Sequence, residues 1–270
     1  MPDKSCVLVL GVGELGSAAA RTLLLSGHAV ALLQSAPEPV LRRQMAFADA
    51  WWDGVATLAG VEARRVAKDA ELLAGLRSGM FIPLITHPVA EAVGRWPWDV
   101  VIDAREGEGP PELIDSELTL VLGPGAEAGR DCDLVIEVGG PDPGAVVRQG
   151  PARGGPRALA RYETAVEAPA DGTFATRLDI GERVRAGEMI GLVGTALVVA
   201  PCSGRLRGLL RSGRPVSSGQ PVAEVAADEL APVSGIDRTD RIIARAVAFA
   251  VELEQDGRSA GHWDWGAGLP

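Results

Sequence analysis

The residues best placed to do chemistry in this 270-residue chain are three glycines, Gly11, Gly13 and Gly16, which form a GxGxxG run directly after the apolar segment Cys6 to Leu10. In a strand–turn–helix setting the first glycine permits the tight turn and the second lets a phosphate approach the backbone. The third lets helix and strand pack closely, and the helix amino terminus offers N–H groups to an anion. Ligands in open α/β sheets sit beyond the carboxyl ends of the strands, so Asp103 and the glycine loop with Gly123 and Gly125 are expected to face the same crevice. Arg42 and Arg43, on a helix expected from Glu38 to Trp52, are the cations that would meet a phosphate there. A plainer reading competes at each point: Asp103 caps the next segment, the loop glycines turn the chain, and the arginines lie on a solvated helix face.

Other residue types carry less. At the end of the second expected strand, where an acidic residue would hold a ribose, stand Gln34 and Ser35. Cys132 lies between Asp131 and Asp133, which disfavour a thiolate, so a structural thiol is expected. Cys6, Cys132 and Cys202 form no CxxC, and His28, His87 and His262 have no metal-ligand spacing. No catalytic residue and no metal site is therefore expected, and whether the chain is an enzyme stays open.

The elements that would position these groups follow from pattern. Residues 14–26 have helical spacing of Leu15, Ala18, Ala19, Thr22 and Leu23, with Gly27 closing the helix. Strands are predicted at 29–34, 63–66, 81–85, 100–103, 119–122 and 134–138, spaced for repeated crossovers on one sheet. The 47% hydrophobic content with only 4% aromatic residues agrees with an aliphatic core built around parallel strands.

The second half contains an internal repeat. Ala168, Pro169, Gly172, Gly181, Val184, Gly187 and Ile190 recur as Ala200, Pro201, Gly204, Gly213, Val216, Gly219 and Val222, each offset by about 32 residues. Two copies of a hairpin-rich unit, neither able to cover its own apolar face, are expected to close one small barrel. The pattern resembles the biotinyl/lipoyl-type domains known as barrel-sandwich hybrids. The carrier lysine of those domains has no counterpart near Gly194–Leu197, since Lys4 and Lys68 are the only lysines in the chain. Covalent biotin or lipoate is thereby ruled out on this hairpin.

The expected fold is thus α/β: a Rossmann-like parallel-sheet domain over 1–150, a small all-β barrel-sandwich hybrid over 163–228, a C-terminal helix over 236–255 and a loose tail over 256–270. A formal net charge of −10 argues against nucleic acid or an anionic membrane as partner. With no apolar run long enough to span a bilayer and no secretory signal, a cytoplasmic location is expected.

The order of features resembles the accessory proteins of selenium-dependent molybdenum hydroxylases. The residues that carry the resemblance are the glycine-rich opening, Pro39 to Ala48, Asp99 to Ala104, Leu122 to Gly125 with Ala128 and Gly129, and the barrel. Two segments depart from that pattern, at Arg105-Glu106-Gly107 and at Val138-Gly139-Gly140. The resemblance implies a maturation factor for a xanthine-dehydrogenase-type enzyme, binding a phosphate-bearing pterin cofactor (molybdopterin) or a nucleotide, with a molybdenum hydroxylase subunit as partner. The alternatives are an NAD(P)-dependent oxidoreductase and a non-catalytic scaffold whose nucleotide site has decayed.

Overall fold

A computed structural model describes residues 5–105, 116–155 and 163–256. The first part contains β1 (Cys6–Leu10), α1 (Glu14–Leu25), β2 (Ala29–Leu33), α2 (Ala50–Asp53), β3 (Val55–Leu58), β4 (Val61–Arg65), α3 (Asp69–Ser78), β5 (Ile82–Ile85), α4 (Val89–Arg95) and β6 (Val100–Asp103). It continues through β7 (Leu118–Leu122), β8 (Glu127–Ala128), β9 (Leu134–Ile136), β10 (Val146–Val147) and β11 (Gly150–Pro151). The second part holds β12 (Glu163–Glu167), β13 (Gly172–Ala175), β14 (Arg183–Val184), β15 (Met189–Val193), β16 (Ala196–Val199), β17 (Gly204–Leu209), β18 (Arg214–Val216), β19 (Pro221–Ala226) and α5 (Arg238–Asp256).

Nine strands form one sheet in the order β10-β9-β7-β6-β1-β2-β5-β4-β3. Every residue of β1 and β2 is buried, because helices cover both faces, and this is why the sequence there is continuously apolar rather than alternating. Val7, Val9, Val30, Leu32, Val100 and Ile102 face α1 and α5. Leu8, Leu10, Ala31, Leu33 and Val101 face the layer of α3, α4, Trp96 and Trp98.

The duplicated segment forms two four-stranded sheets, β12-β19-β17-β14 and β16-β15-β13-β18. Each sheet mixes the two copies: β14 from the first pairs with β17 of the second, and β18 from the second pairs with β13 of the first. Exchange of these short strands explains why one copy alone could not bury its apolar face, and the result is a single core around Phe174, Leu206, Val222 and Val225.

Several expectations are corrected. The Rossmann-like parallel-sheet domain gives way to a large mixed sheet, since β3–β4 and β9–β10 pair antiparallel at its two edges. The closed barrel-sandwich hybrid gives way to two sheets, with β14 and β18 as edge strands. Residues Arg238–Asp256 do form the C-terminal helix α5, which packs along α1 through Ile243, Val247 and Val251. Over 38–52 the helix is replaced by a single 3-10 turn at Arg43–Met45, with α2 starting only at Ala50. Packing overrides propensity there, because Leu41 is drawn into the β-module core while Phe47 enters the main core. The tail beyond residue 256, with Trp263 and Trp265, lies outside the described residues. Among the described residues no helix is long and apolar enough to cross a membrane.

His28 directly precedes β2 in a buried position, and its Nδ1 has no hydrogen-bond partner. Burial lowers its pKa below the ordinary 6.5, against a smaller opposing pull from Glu252. A depressed histidine pKa means that the unfolded chain binds the proton first, so the contribution of neutral His28 is present above pH 6.5 and is lost as the pH falls below it. Urea midpoints measured from pH 7.5 to 5.5 should therefore decline for the native chain, and His28→Leu should flatten that decline.

Candidate functional site

β1, β6 and β7 are adjacent and parallel, with Leu10 in register with Asp103. Their carboxyl ends bring together the Gly11–Gly16 turn, Asp103 and the loop at Gly123. Gly11 has φ +99°, and a Cβ on it would lie 3.2 Å from the Ala104 carbonyl oxygen. Gly16 allows α1 to pack onto the turn, since a Cβ there would fall 2.3 Å from the Gly11 carbonyl oxygen. Around Gly13, by contrast, there is open space. Thus two of the three glycines are required by packing alone, and one faces outward.

The turn is closed from inside by side chains. Gln34 Oε1 accepts the Val12 N–H at 3.3 Å, while its Nε2 donates to the Ala36 carbonyl at 2.7 Å. Ser17 Oγ donates to the Val12 carbonyl and accepts the Phe47 N–H at 2.8 Å. Gln34 therefore serves as a clamp on the glycine turn. The sequence showed it only as the absence of an acid.

Arg42 is buried, with its guanidinium committed to protein carboxylates. Its guanidinium forms a two-pronged bond to Glu224 on β19, Nε to Oε2 at 2.8 Å and Nη2 to Oε1 at 2.7 Å, and Nη1 reaches Glu14 at 3.2 Å. Burial works against its charge, yet the hydrogen bonds and negative charge of Glu224 and Glu14 outweigh that, and its pKa is raised. Arg43 donates to the Leu209 carbonyl at 2.9 Å and to Asp49 at 2.7 Å. Around the same seam, Leu209 N–H donates to the Leu41 carbonyl, Arg211 pairs with Asp49 and Asp53, and Arg214 lies 4.7 Å from the Trp52 ring centroid. The two arginines thus hold the β module against the large sheet.

Asp103 is buried and paired with Arg105. Its Oδ1 accepts the Arg105 N–H and Nε–H, both at 3.0 Å, and Oδ2 accepts Nη2 at 2.6 Å. Gly123, at φ +94°, donates to the Ile136 carbonyl, and Val138 fills the space beside it; Gly125, at φ +107°, is exposed. Cys132 is buried, its thiol donating to the Leu134 carbonyl. Burial first, then Asp131 and Asp133, push its pKa up to about 11, so it is a poor nucleophile near neutrality. His87 lies 3.4 Å from Glu91 on the loop after β5. Among the described residues no three His, Cys, Asp or Glu side chains gather as a metal site would require.

With this geometry in view, the chain can be set beside known proteins. No protein-family model matches it. It is 31% identical over 257 residues to the uncharacterized protein YqeB of Escherichia coli (strain K12), covering 92% of this chain and 47% of that one. The chain therefore spans about half the length of this curated relative. Among solved structures it is similar to an aspartoacylase family protein from Mesorhizobium loti, at 14% identity, covering 83% and 85% of the two chains, with a TM-score of 0.26. A succinylglutamate desuccinylase/aspartoacylase from Rhodobacter sphaeroides shows 25% identity over 30% of this chain and 29% of that one, with a TM-score of 0.22. Scores this low define neither fold nor activity, and no zinc-type ligand set appears among the described residues.

The resemblance to molybdenum hydroxylase accessory proteins is corrected: the curated relative is an uncharacterized protein, and the similar structures named above carry desuccinylase and aspartoacylase names. The maturation role and the NAD(P)-dependent oxidoreductase go with it: the guanidinium groups meant for phosphate are ion-paired to protein carboxylates, and Gln34 occupies the ribose position as a clamp. The scaffold with a decayed nucleotide site is corrected as well. Gln34, Ser17 and Arg42 each have defined partners, so the turn is a built joint rather than the remains of a pocket.

The joint itself can be tested. Removing one partner of a buried ion pair leaves the other charge uncompensated, so Arg42→Ala should cost about 3–5 kcal/mol of unfolding free energy by chemical denaturation. The triple variant Arg42→Met, Glu224→Met, Glu14→Gln should recover most of that loss, since it also removes the second carboxylate held by Arg42 while Arg207 keeps Asp237.

Proposed function

We propose that the chain is a binding module that takes a small, uncharged, hydrogen-bonding molecule at the carboxyl ends of β1, β6 and β7, with the β module fixed as a wall beside the crevice. In this reading Gly13 and Gly125 offer the ligand-facing backbone. Gly11, Gly16 and Gly123 shape the turns behind them, and the Asp103–Arg105 pair forms the floor. Arg42 and Arg43 act on the ligand only through the joint they hold.

The observation that carries the proposal is the open space around Gly13 beside a charge set that does not favour anions. Glu14 stands in the first turn of α1, where it meets the positive pole of the helix, and Arg42 is committed to Glu14 and Glu224, with Arg207 also 3.9 Å from Glu224. Asp103 and Arg105 cancel one another. An added phosphate would find the nearby cations already paired with protein carboxylates, whereas a neutral polar molecule meets backbone donors and acceptors and needs no free cation. A cytoplasmic setting is part of the proposal and is supported by three cysteines that are all free thiols.

Gly13 has φ −63° and ψ −176°, which any residue adopts, so Gly13→Leu should fold normally while filling the space. The full chain should be melted against sets of neutral polar and anionic metabolites. A neutral ligand at one hundred times its Kd stabilises the native chain by about 2.7 kcal/mol, and Gly13→Leu should lose that shift while keeping the melting temperature of the free protein. Equal stabilisation of the variant, or stabilisation by anions alone, would count against the proposal.

A further inference from the structure

The large layer contains a pocket on the other side of α1 from the glycine turn, distinct from the proposed crevice. It lies between the carboxyl end of α1, the β3–β4 turn and the start of α5, with a volume of about 450 Å³. Arg21, Arg241 and Arg245 line it together with Thr22, Ser26 and the apolar Leu25 and Ile236. Among the described residues not one carboxylate lines it, although the chain as a whole carries a net charge of −10. The nearest acids in sequence are engaged elsewhere: Asp237 pairs with Arg207, Glu62 pairs with Arg64, and Asp240 is buried.

The arginines are positioned rather than loose. Arg21 donates through Nε and Nη2 to the Ala59 carbonyl at 3.1 and 2.7 Å, which turns its remaining edge away from that bond. Ala59 has φ +45° in the two-residue turn between β3 and β4, the one non-glycine residue with positive φ among the described residues. That strained carbonyl is held where Arg21 grips it. Arg241 donates to the Ile236 carbonyl at 3.1 Å, and Arg245 follows one turn later on the same face of α5.

A simpler account is that the arginines complement the negative pole of α1, whose own last turn has no basic residue. Magnitudes decide against it as the whole explanation, because a helix pole is equivalent to roughly half a charge. Three guanidinium groups exceed that several-fold.

We infer that this pocket binds a phosphate-bearing small molecule. Cations reaching the cavity from α1 and from two turns of α5 suit a tetrahedral dianion, which presents oxygens in several directions, better than a planar carboxylate. Leu25 and Ile236 provide an apolar wall for the organic part, and the volume falls within the range of small-molecule sites.

The test uses inorganic phosphate as probe on the full chain, with sodium chloride at matched ionic strength as control, since salt alone relieves self-repulsion in a chain of this charge. Phosphate should raise the melting temperature beyond chloride, and isothermal titration should give a saturable site. Arg245→Glu should weaken that site at least tenfold, and Arg241→Ala or Arg245→Gln should weaken it by a smaller factor. Both side chains are exposed, so the free variants should melt near the native chain. Gly13→Leu should leave the phosphate response intact, which separates this pocket from the crevice. Identical shifts with phosphate and chloride, or an unchanged affinity in Arg245→Glu and Arg241→Ala, would overturn the inference.

Discussion

Arg42, buried between Glu224 and Glu14, is the interaction on which the arrangement of the molecule depends. It lies in a segment with no long helix, and it ties the β19 strand of the duplicated module to the first turn of α1. A buried guanidinium is tolerated only when its donors are satisfied, and the two-pronged bond to Glu224 does this in a fixed geometry. Leu41 and Phe47 on either side enter different cores. One short stretch of chain thus sets where the two halves sit and commits the guanidinium groups of Arg42 and Arg43 to protein partners.

The joint changes how the glycine turn should be understood. A GxGxxG sequence is compatible with phosphate binding, but its first and third glycines are needed whenever a strand turns tightly into a helix and the helix packs close. Here Gly11 and Gly16 are fully explained that way by their contacts. What remains for a ligand is Gly13 and its neighbours, in surroundings whose charges are balanced among protein groups. Three guanidinium groups with no carboxylate beside them among the described lining residues are found instead at the opposite end of α1, where no sequence motif marks them.

The duplicated module illustrates a second separation between pattern and architecture. The 32-residue repeat correctly reports two copies of one unit, yet the sheets do not follow the copies. Strands β14 and β18 are exchanged, so each sheet is completed by the other copy. Shared burial of Phe174, Leu206 and Val225 makes the two copies inseparable, and exposure of Met189, Leu197 and Val199 leaves one sheet partly apolar toward solvent.

Sequence by itself determined the local elements. β1 and β2 are legible as unbroken apolar runs, α1 from its spacing and closing glycine, the repeat from its glycines, and the inertness of Cys132 from its acidic neighbours. These properties depend on residues close together in the chain. Tertiary structure alone decided the mixed edges of the sheet, the conversion of 38–52 from helix to clasp, the partnership of Arg42 with a carboxylate 182 residues away, and the gathering of Arg21 with Arg241 and Arg245. The physical reason is the same in each case: a charged or apolar side chain has a local preference worth tenths of a kcal/mol, whereas burying an apolar group, or leaving a buried charge without its distant partner, changes the free energy by about ten times as much. Nothing in the one-dimensional order states which partner that will be.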